Sequence, residues 1–326
     1  MKNEVIQFLS KINYVRKYFS GIGTIFMLHR VNNFEKNIIF PNENLKVSPQ
    51  FLDKFIRNLK SNGFDIISIE QLCKKLLLKK KLKKQIVFTL DDGYLDNYVN
   101  AYPIFKKHNV PFTIYLSTGF IERNTNVWWH DIEDIISVND NINFDDYIIK
   151  CKTSEEKLNA FFILRKKILN LDKKNYHDKM INFLNYYKIH SKKNTSKLFM
   201  NWENIIKLSN DNLVTIGSHT KNHYALNKLS EKEIIDEVIG ANILIEKKIN
   251  KKVNHFAFPY GTRNEVGKNE IEILKNLRFN SVVTTRNGNI YNDHVNYTSC
   301  LPRIMLTEEF KIDDLGKIRR KKVVTI

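Results

Sequence analysis

Four stretches of the chain carry side chains that could do chemistry. In QIVFTLDDGYLDNY, residues 85–98, an apolar run stops at two adjacent carboxylates, Asp91 and Asp92, followed by Gly93. Carboxylates that close resist ionising together unless a cation or a hydrogen-bond donor compensates. A metal site or an acid/base site would supply that compensation, and a solvated Asp-Gly turn would also tolerate the pair. TIGSHTKNH supplies His219 and His223. On a helical turn that spacing brings two imidazoles to one face, within reach of one ion; two surface histidines read the same way. HFAFPYG ends in Pro259-Tyr260-Gly261, a turn able to present a backbone N–H to a cavity, as an oxyanion site requires, or an ordinary turn. FMLHRV puts His29 at the end of another apolar run, where a lone histidine is usually structural.

The elements around these stretches alternate. Short apolar runs predict strands at Thr24–Leu28, Asp65–Ile69, Ile86–Leu90, Phe112–Ser117, Val214–Gly217, His255–Pro259 and Ser281–Thr285. Helical patterns lie between them. One starts at Ser48-Pro49 and carries Phe51, Phe55, Ile56 and Leu59 on one face. Another starts at Ser230 with Glu233 completing a capping box, and runs through Ile234, Ile235, Val238, Ile243 and Leu244. Such alternation implies a largely parallel sheet, open or closed into a barrel. Residues 121–208 break the rhythm. They hold Trp128, Trp129, an acidic patch at Asp131–Asp134 and amphipathic stretches, and predict a mostly helical insertion within a single domain spanning residues 1–326. Sites in such folds lie at the C-terminal ends of the strands, so the insertion is placed to fold over one.

Composition bounds the function class. The 326 residues are 42% hydrophobic and 27% charged, an ordinary balance for a soluble chain. No window approaches 18 uninterrupted apolar residues, and the N-terminus lacks the apolar core of a signal peptide. Cys73, Cys151 and Cys300 are too few and too scattered for a disulfide framework or a zinc knuckle, which points to a reducing, cytoplasmic location. The formal net charge of +18 suits nucleic acid, an anionic membrane or an acidic substrate. No zinc-finger, RNP-like or helix-turn-helix pattern accompanies it, so no nucleic-acid partner is expected. The basic runs Lys74–Lys84 and Lys317–Lys322 suit peripheral contact with an anionic inner-membrane surface, or a solvated helix and tail.

TLDDG, SHTKNH and FPYG, in that order, resemble the first three motifs of the polysaccharide deacetylase family, the NodB-homology domain of carbohydrate esterase family 4. The resemblance covers roughly residues 20 to 305. HRV at the front, FAFPYG, and LPRI near the end are similar to a bacterial subgroup acting on N-acetylated sugars of exported polysaccharides or their lipid-linked precursors. The family implies an α/β fold, a distorted (β/α) barrel, with a divalent metal, usually zinc, and hydrolysis of an N-acetyl group to an amine and acetate. Carried over by position, Asp92, His219 and His223 match the metal ligands and Asp91 the general base. The Tyr260 N–H would help hold the oxyanion. Three protein ligands leave a coordination place open for water, the mark of a catalytic zinc site.

The chain departs from the commoner family pattern in two places. Ala257 stands where an arginine is usual, and Leu301-Pro302-Arg303-Ile304 where a catalytic histidine is usual. The expectation is that Arg303 replaces the arginine in orienting Asp91. His29 is then the expected general acid, with His130 next in line. Trp128, Trp129 and Asp131 resemble an aromatic-plus-acid fourth motif suited to a sugar face, or form the core of the insertion. A carbohydrate-binding protein without catalysis on the same fold is the alternative. The four residues Asp91, Asp92, His219 and His223 argue against it, since binding alone has no need of them.

Overall fold

The computed structural model describes residues 21–35, 41–78, 85–189 and 191–316. Seven parallel strands close a barrel: β1 (Gly23–Leu28), β2 (Gln85–Leu90), β3 (Phe112–Leu116), β4 (Val214–Ser218), β5 (His255–Ala257), β6 (Ser281–Asn287) and β7 (Leu301–Met305). Each pairs with its neighbour in that order, and β1 closes the ring by pairing with both β7 and β2. Closure explains why the strands read as continuous apolar runs: both faces are covered. Along β2 the side chains still alternate. Ile86, Phe88 and Leu90 join the outer core beneath the helices, while Val87 packs inside the barrel with Ile25, Tyr115, Val283 and Leu301. The same period carries Thr89 and then Asp91 inward, above that apolar floor.

Two helices show how local sequence sets this frame. Helix α1 (Pro49–Ser61) starts where Ser48 accepts a hydrogen bond from the Phe51 N–H at 3.1 Å. Its buried face is Leu52, Phe55, Ile56 and Leu59, with Phe51 at the margin. Helix α2 (Ile69–Leu77) is capped by Ser68 and Gln71 in a reciprocal box, and its Ile69, Leu72 and Leu76 close the bottom of the barrel. That cap corrects the sequence reading of a strand over Asp65–Ile69. Only Asp65–Ile66 pairs, on the outer edge of β2, and the helix takes over at Ile69. The barrel is completed instead by β7, which the sequence reading had not recognised as a strand.

Between β3 and β4 the chain leaves the barrel. Helices α3 (Trp128–Val138), α4 (Ser154–Asn170), α5 (Lys173–Tyr186) and α6 (Trp202–Ser209) fill the segment, with a two-stranded antiparallel hairpin of Asn141–Phe144 and Tyr147–Lys150. The hairpin is strand structure that the helical reading omitted. Farther on, α7 (Glu231–Ile249) begins at the Ser230–Glu233 capping box. Its buried stripe is Ile234, Val238, Ala241, Ile245 and Ile249, a 3.6-residue period; Ile243 falls on the opposite side and is 62% exposed, contrary to expectation.

Candidate metal and catalytic site

The strand ends bring Asp92, His219 and His223 together. One donor atom from each lies within 4.8 Å of the other two, and all three residues are buried. His219 follows β4, and its Nδ1 lies 2.7 Å from the Ala257 carbonyl. Because a carbonyl only accepts, that contact requires the proton on Nδ1 and leaves the Nε2 lone pair facing Asp92 at 3.4 Å. His223 Nε2 lies 3.2 Å from the same Asp92 oxygen. The approach is close, yet Asp92 Oδ1 is buried without a hydrogen-bond partner. A buried carboxylate oxygen facing two imidazole nitrogens fits a divalent ion, and a mixed N/O donor set suits zinc.

Backbone strain marks the same residues. Asp92 has φ 73°, His223 φ 56° and Thr220 φ 68°, left-handed conformations uncommon for residues with a Cβ. Strand alternation would turn Asp92 away from Asp91. The left-handed turn into Gly93 instead swings Asp92 toward the histidines, so adjacent carboxylates take different partners.

Asp91 is held by Arg303. Nη1 donates to Oδ1 at 2.7 Å and Nη2 to Oδ2 at 2.6 Å, a two-pronged ion pair with both side chains shut off from solvent. Arg303 also donates from Nε to the Thr284 carbonyl at 2.9 Å and from Nη1 to Thr89 Oγ1 at 3.0 Å. Thr89 in turn donates to the Phe26 carbonyl at 2.8 Å. Burial by itself would raise the Asp91 pKa; the Arg303 charge and hydrogen bonds outweigh it and hold the carboxyl below its ordinary range.

His29 and Tyr260 stand around this centre, lining with Asp91, Asp92, His219 and His223 a cavity of about 300 Å³. The backbone carbonyl of His29 accepts from Asn97 at 2.8 Å, and its neighbour Arg30 pairs with Asp96 at 2.9 Å. HRV and DDGYLDN are therefore tied together by side chains. His29 Nδ1 is buried with no hydrogen-bond partner. Tyr260 has φ 61° and its carbonyl accepts from Thr285 Oγ1 at 2.6 Å, which fixes the turn. Burial raises the pKa of its phenol, which accepts from Trp128 Nε1 at 3.0 Å.

Trp128 and Trp129 are both cavity wall and core. They line the cavity, are 3% and 7% exposed, and bond through their indole N–H groups to Tyr260 and Tyr94. Asp131 does not join them: it is fully buried in α3 and does not line the cavity. His130 is likewise set behind Trp129, outside the cavity, and burial lowers its pKa to about 3. Sequence reasoning missed Thr89, which accepts from Arg303, and the α4 residues Phe161, Phe162 and Arg165, which line the cavity. Phe161 and Arg165 are four apart on α4, a spacing that places both on one face. The run Lys74–Lys84 extends past the described residues at Leu78, and the tail Lys317–Lys322 lies wholly outside them.

A parallel barrel carrying one carboxylate and two imidazoles at its C-terminal mouth, with a second carboxylate held ionised beside them, defines a metal-site hydrolase. The polysaccharide deacetylase profile matches residues 78–149 and 159–280, and the chain belongs to that family. Over 73 residues it is 33% identical to the putative polysaccharide deacetylase YxkH of Bacillus subtilis, covering 22% of this chain and 26% of that one. The match thus spans about a quarter of that relative's length. Among solved structures, the fold is similar to the Streptococcus pyogenes deacetylase PplD in complex with acetate, with TM-score 0.61, 18% identity, and coverage of 91% of this chain and 97% of that one. It is also similar to IcaB from Ammonifex degensii, with TM-score 0.57, 16% identity, and coverage of 91% and 94%.

Proposed function

We propose that this protein removes the acetyl group from an N-acetylated amino sugar of a bacterial surface polysaccharide or its lipid-linked precursor, as a zinc-dependent N-deacetylase of the HRV/FAFPYG-type subgroup. The observation that carries the reading is Asp91, locked by Arg303 beside three convergent donor atoms. A divalent ion held by Asp92, His219 and His223 would polarise the amide carbonyl and lower the pKa of attacking water. Asp91, ionised because Arg303 holds its charge, takes the proton from that water. The Tyr260 N–H, fixed by the left-handed turn, donates to the carbonyl oxygen as negative charge develops there. His29 delivers a proton to the nitrogen as the C–N bond breaks, so that an amine leaves with acetate as the other product. The indole walls of Trp128 and Trp129 receive the sugar ring.

The test is acetate release from a panel of free, nucleotide-linked and lipid-linked N-acetyl sugars, each with defined divalent metals. Stoichiometric metal binding with no acetate from any member would overturn the reading. His29→Ala is expected to lower the turnover number by about 10²–10⁴-fold with metal content unchanged. The loss should shrink for an aryl acetate, whose leaving group needs no proton. An undiminished rate on the amide would place the acid elsewhere.

The same reading sets the protein in the cytoplasm, in peripheral contact with an anionic membrane where a lipid-linked sugar is presented. Among the described residues no helix is long and apolar enough to cross a membrane. Basic residues near such a surface contribute about 1 kcal/mol each. Flotation with liposomes should therefore require anionic lipid at low salt; equal flotation on neutral liposomes would remove the membrane contact.

A further inference from the structure

Helix α4 brings one basic side chain to the cavity. Arg165 lines it together with Phe161 and Phe162, in the same cavity as Asp91 and Asp92. Two other basic residues of α4 are engaged elsewhere: Lys157 donates to the Ser137 carbonyl at 2.7 Å, and Lys167 lies 3.2 Å from the centre of the Tyr147 ring, while Lys166 is exposed and does not line the cavity. Among the described residues no carboxylate pairs with Arg165. The acidic residues lining the cavity are Asp91 and Asp92. Both oxygens of Asp91 are occupied by Arg303, and Asp92 faces the two histidines.

We propose that Arg165 receives an anionic group of the substrate, a phosphate or a carboxylate borne on or beside the N-acetylated sugar. This rests on the deacetylase reading and adds to it the charge class of the substrate. A guanidinium set in an aromatic wall has lost part of its hydration without gaining a counter-charge. Its planar fork matches phosphate and carboxylate oxygens, which offer two acceptors at the right spacing. A neutral glycan would leave that charge unanswered.

The test uses the metal-loaded full chain and three amide probes: a neutral N-acetylhexosamine oligosaccharide, an N-acetylhexosamine glycosyl phosphodiester, and an N-acetylhexosamine joined to a uronic acid. The wild type should prefer one of the anionic probes, and which one identifies phosphate or carboxylate. Arg165→Gln should cut the kcat/KM preference for that probe over the neutral one by about 10–100-fold, or ~1.4–2.8 kcal/mol, mainly through KM. Arg165→Lys should restore part of it. An equal loss on all three probes, or no charge preference in the wild type, would overturn the proposal. If no probe releases acetate, the deacetylase reading fails. Calorimetry with the amine forms of the same probes then decides this one: charge-selective binding lost in Arg165→Gln upholds it, and charge-blind binding or none overturns it.

Discussion

Arg303→Met is expected to lower the free energy of unfolding by about 3–5 kcal/mol, because it leaves the buried Asp91 carboxylate without its counter-ion. Arg303 is 1% exposed and Asp91 is 1% exposed, so water from the cavity replaces the lost donors only in part. Adding Asp91→Asn to the same chain should return much of that stability, since the uncompensated charge goes with it. The wild-type pair stabilises the fold above the ordinary carboxylate pKa of about 3.9, and this contribution fades as acid protonates Asp91. In Arg303→Met the burial effect loses its main opponent, with His219 and His29 still acting against it, and is expected to raise the Asp91 pKa instead. The deficit of the variant should therefore shrink as pH falls from neutrality. Denaturant midpoints of the wild type, both single variants and the double variant at two pH values measure this coupling. Additive effects of the two substitutions would mean that the ion pair does not organise the site. Arg303→Lys is not expected to rescue turnover, because a point charge cannot engage both carboxylate oxygens as the guanidinium does.

The reach of the sequence ended where contacts became long-range. Asp92, His219 and His223 were readable because each lies just past an apolar run, and such ends converge when parallel strands form a barrel. The bond between Arg303 and Asp91 spans 212 positions and follows from no local pattern. The proposal that Arg303 orients Asp91 needed the family's missing arginine to suggest it. The same residue hid β7, since a charged side chain inside Leu301–Met305 interrupts the apolar alternation that marks a strand. In the barrel that interruption has a cause: Leu301 belongs to the apolar floor, Arg303 sits above it at the height of Thr89 and Asp91, and Met305 reaches the cavity. Asp65–Ile69 failed for the opposite reason. Its Ile66, Ile67 and Ile69 suit a strand, but Ser68 and Gln71 cap a helix there, and the cap outweighs strand propensity. Trp128, Trp129 and Asp131 are adjacent in sequence yet diverge on α3. The indoles reach the cavity, and the acid turns into the core.

Asp91→Asn and His223→Ala should both abolish most acetate release while parting on metal content. Asp91 gives both oxygens to Arg303, so the amide variant removes the proton acceptor and leaves the three donor atoms of Asp92, His219 and His223 in place. It should retain about one zinc per chain and lose at least about 10²–10⁴-fold in turnover, the usual contribution of a positioned base. His223→Ala removes one donor of three. Zinc should then leave on dialysis, because an incomplete shell binds far more weakly. Elemental analysis of dialysed protein separates the cases without reference to any substrate. Full zinc occupancy in His223→Ala would show that the ion is held elsewhere. Zinc loss in Asp91→Asn would make Asp91 a ligand, and the division of labour between the two adjacent carboxylates would then have to be redrawn.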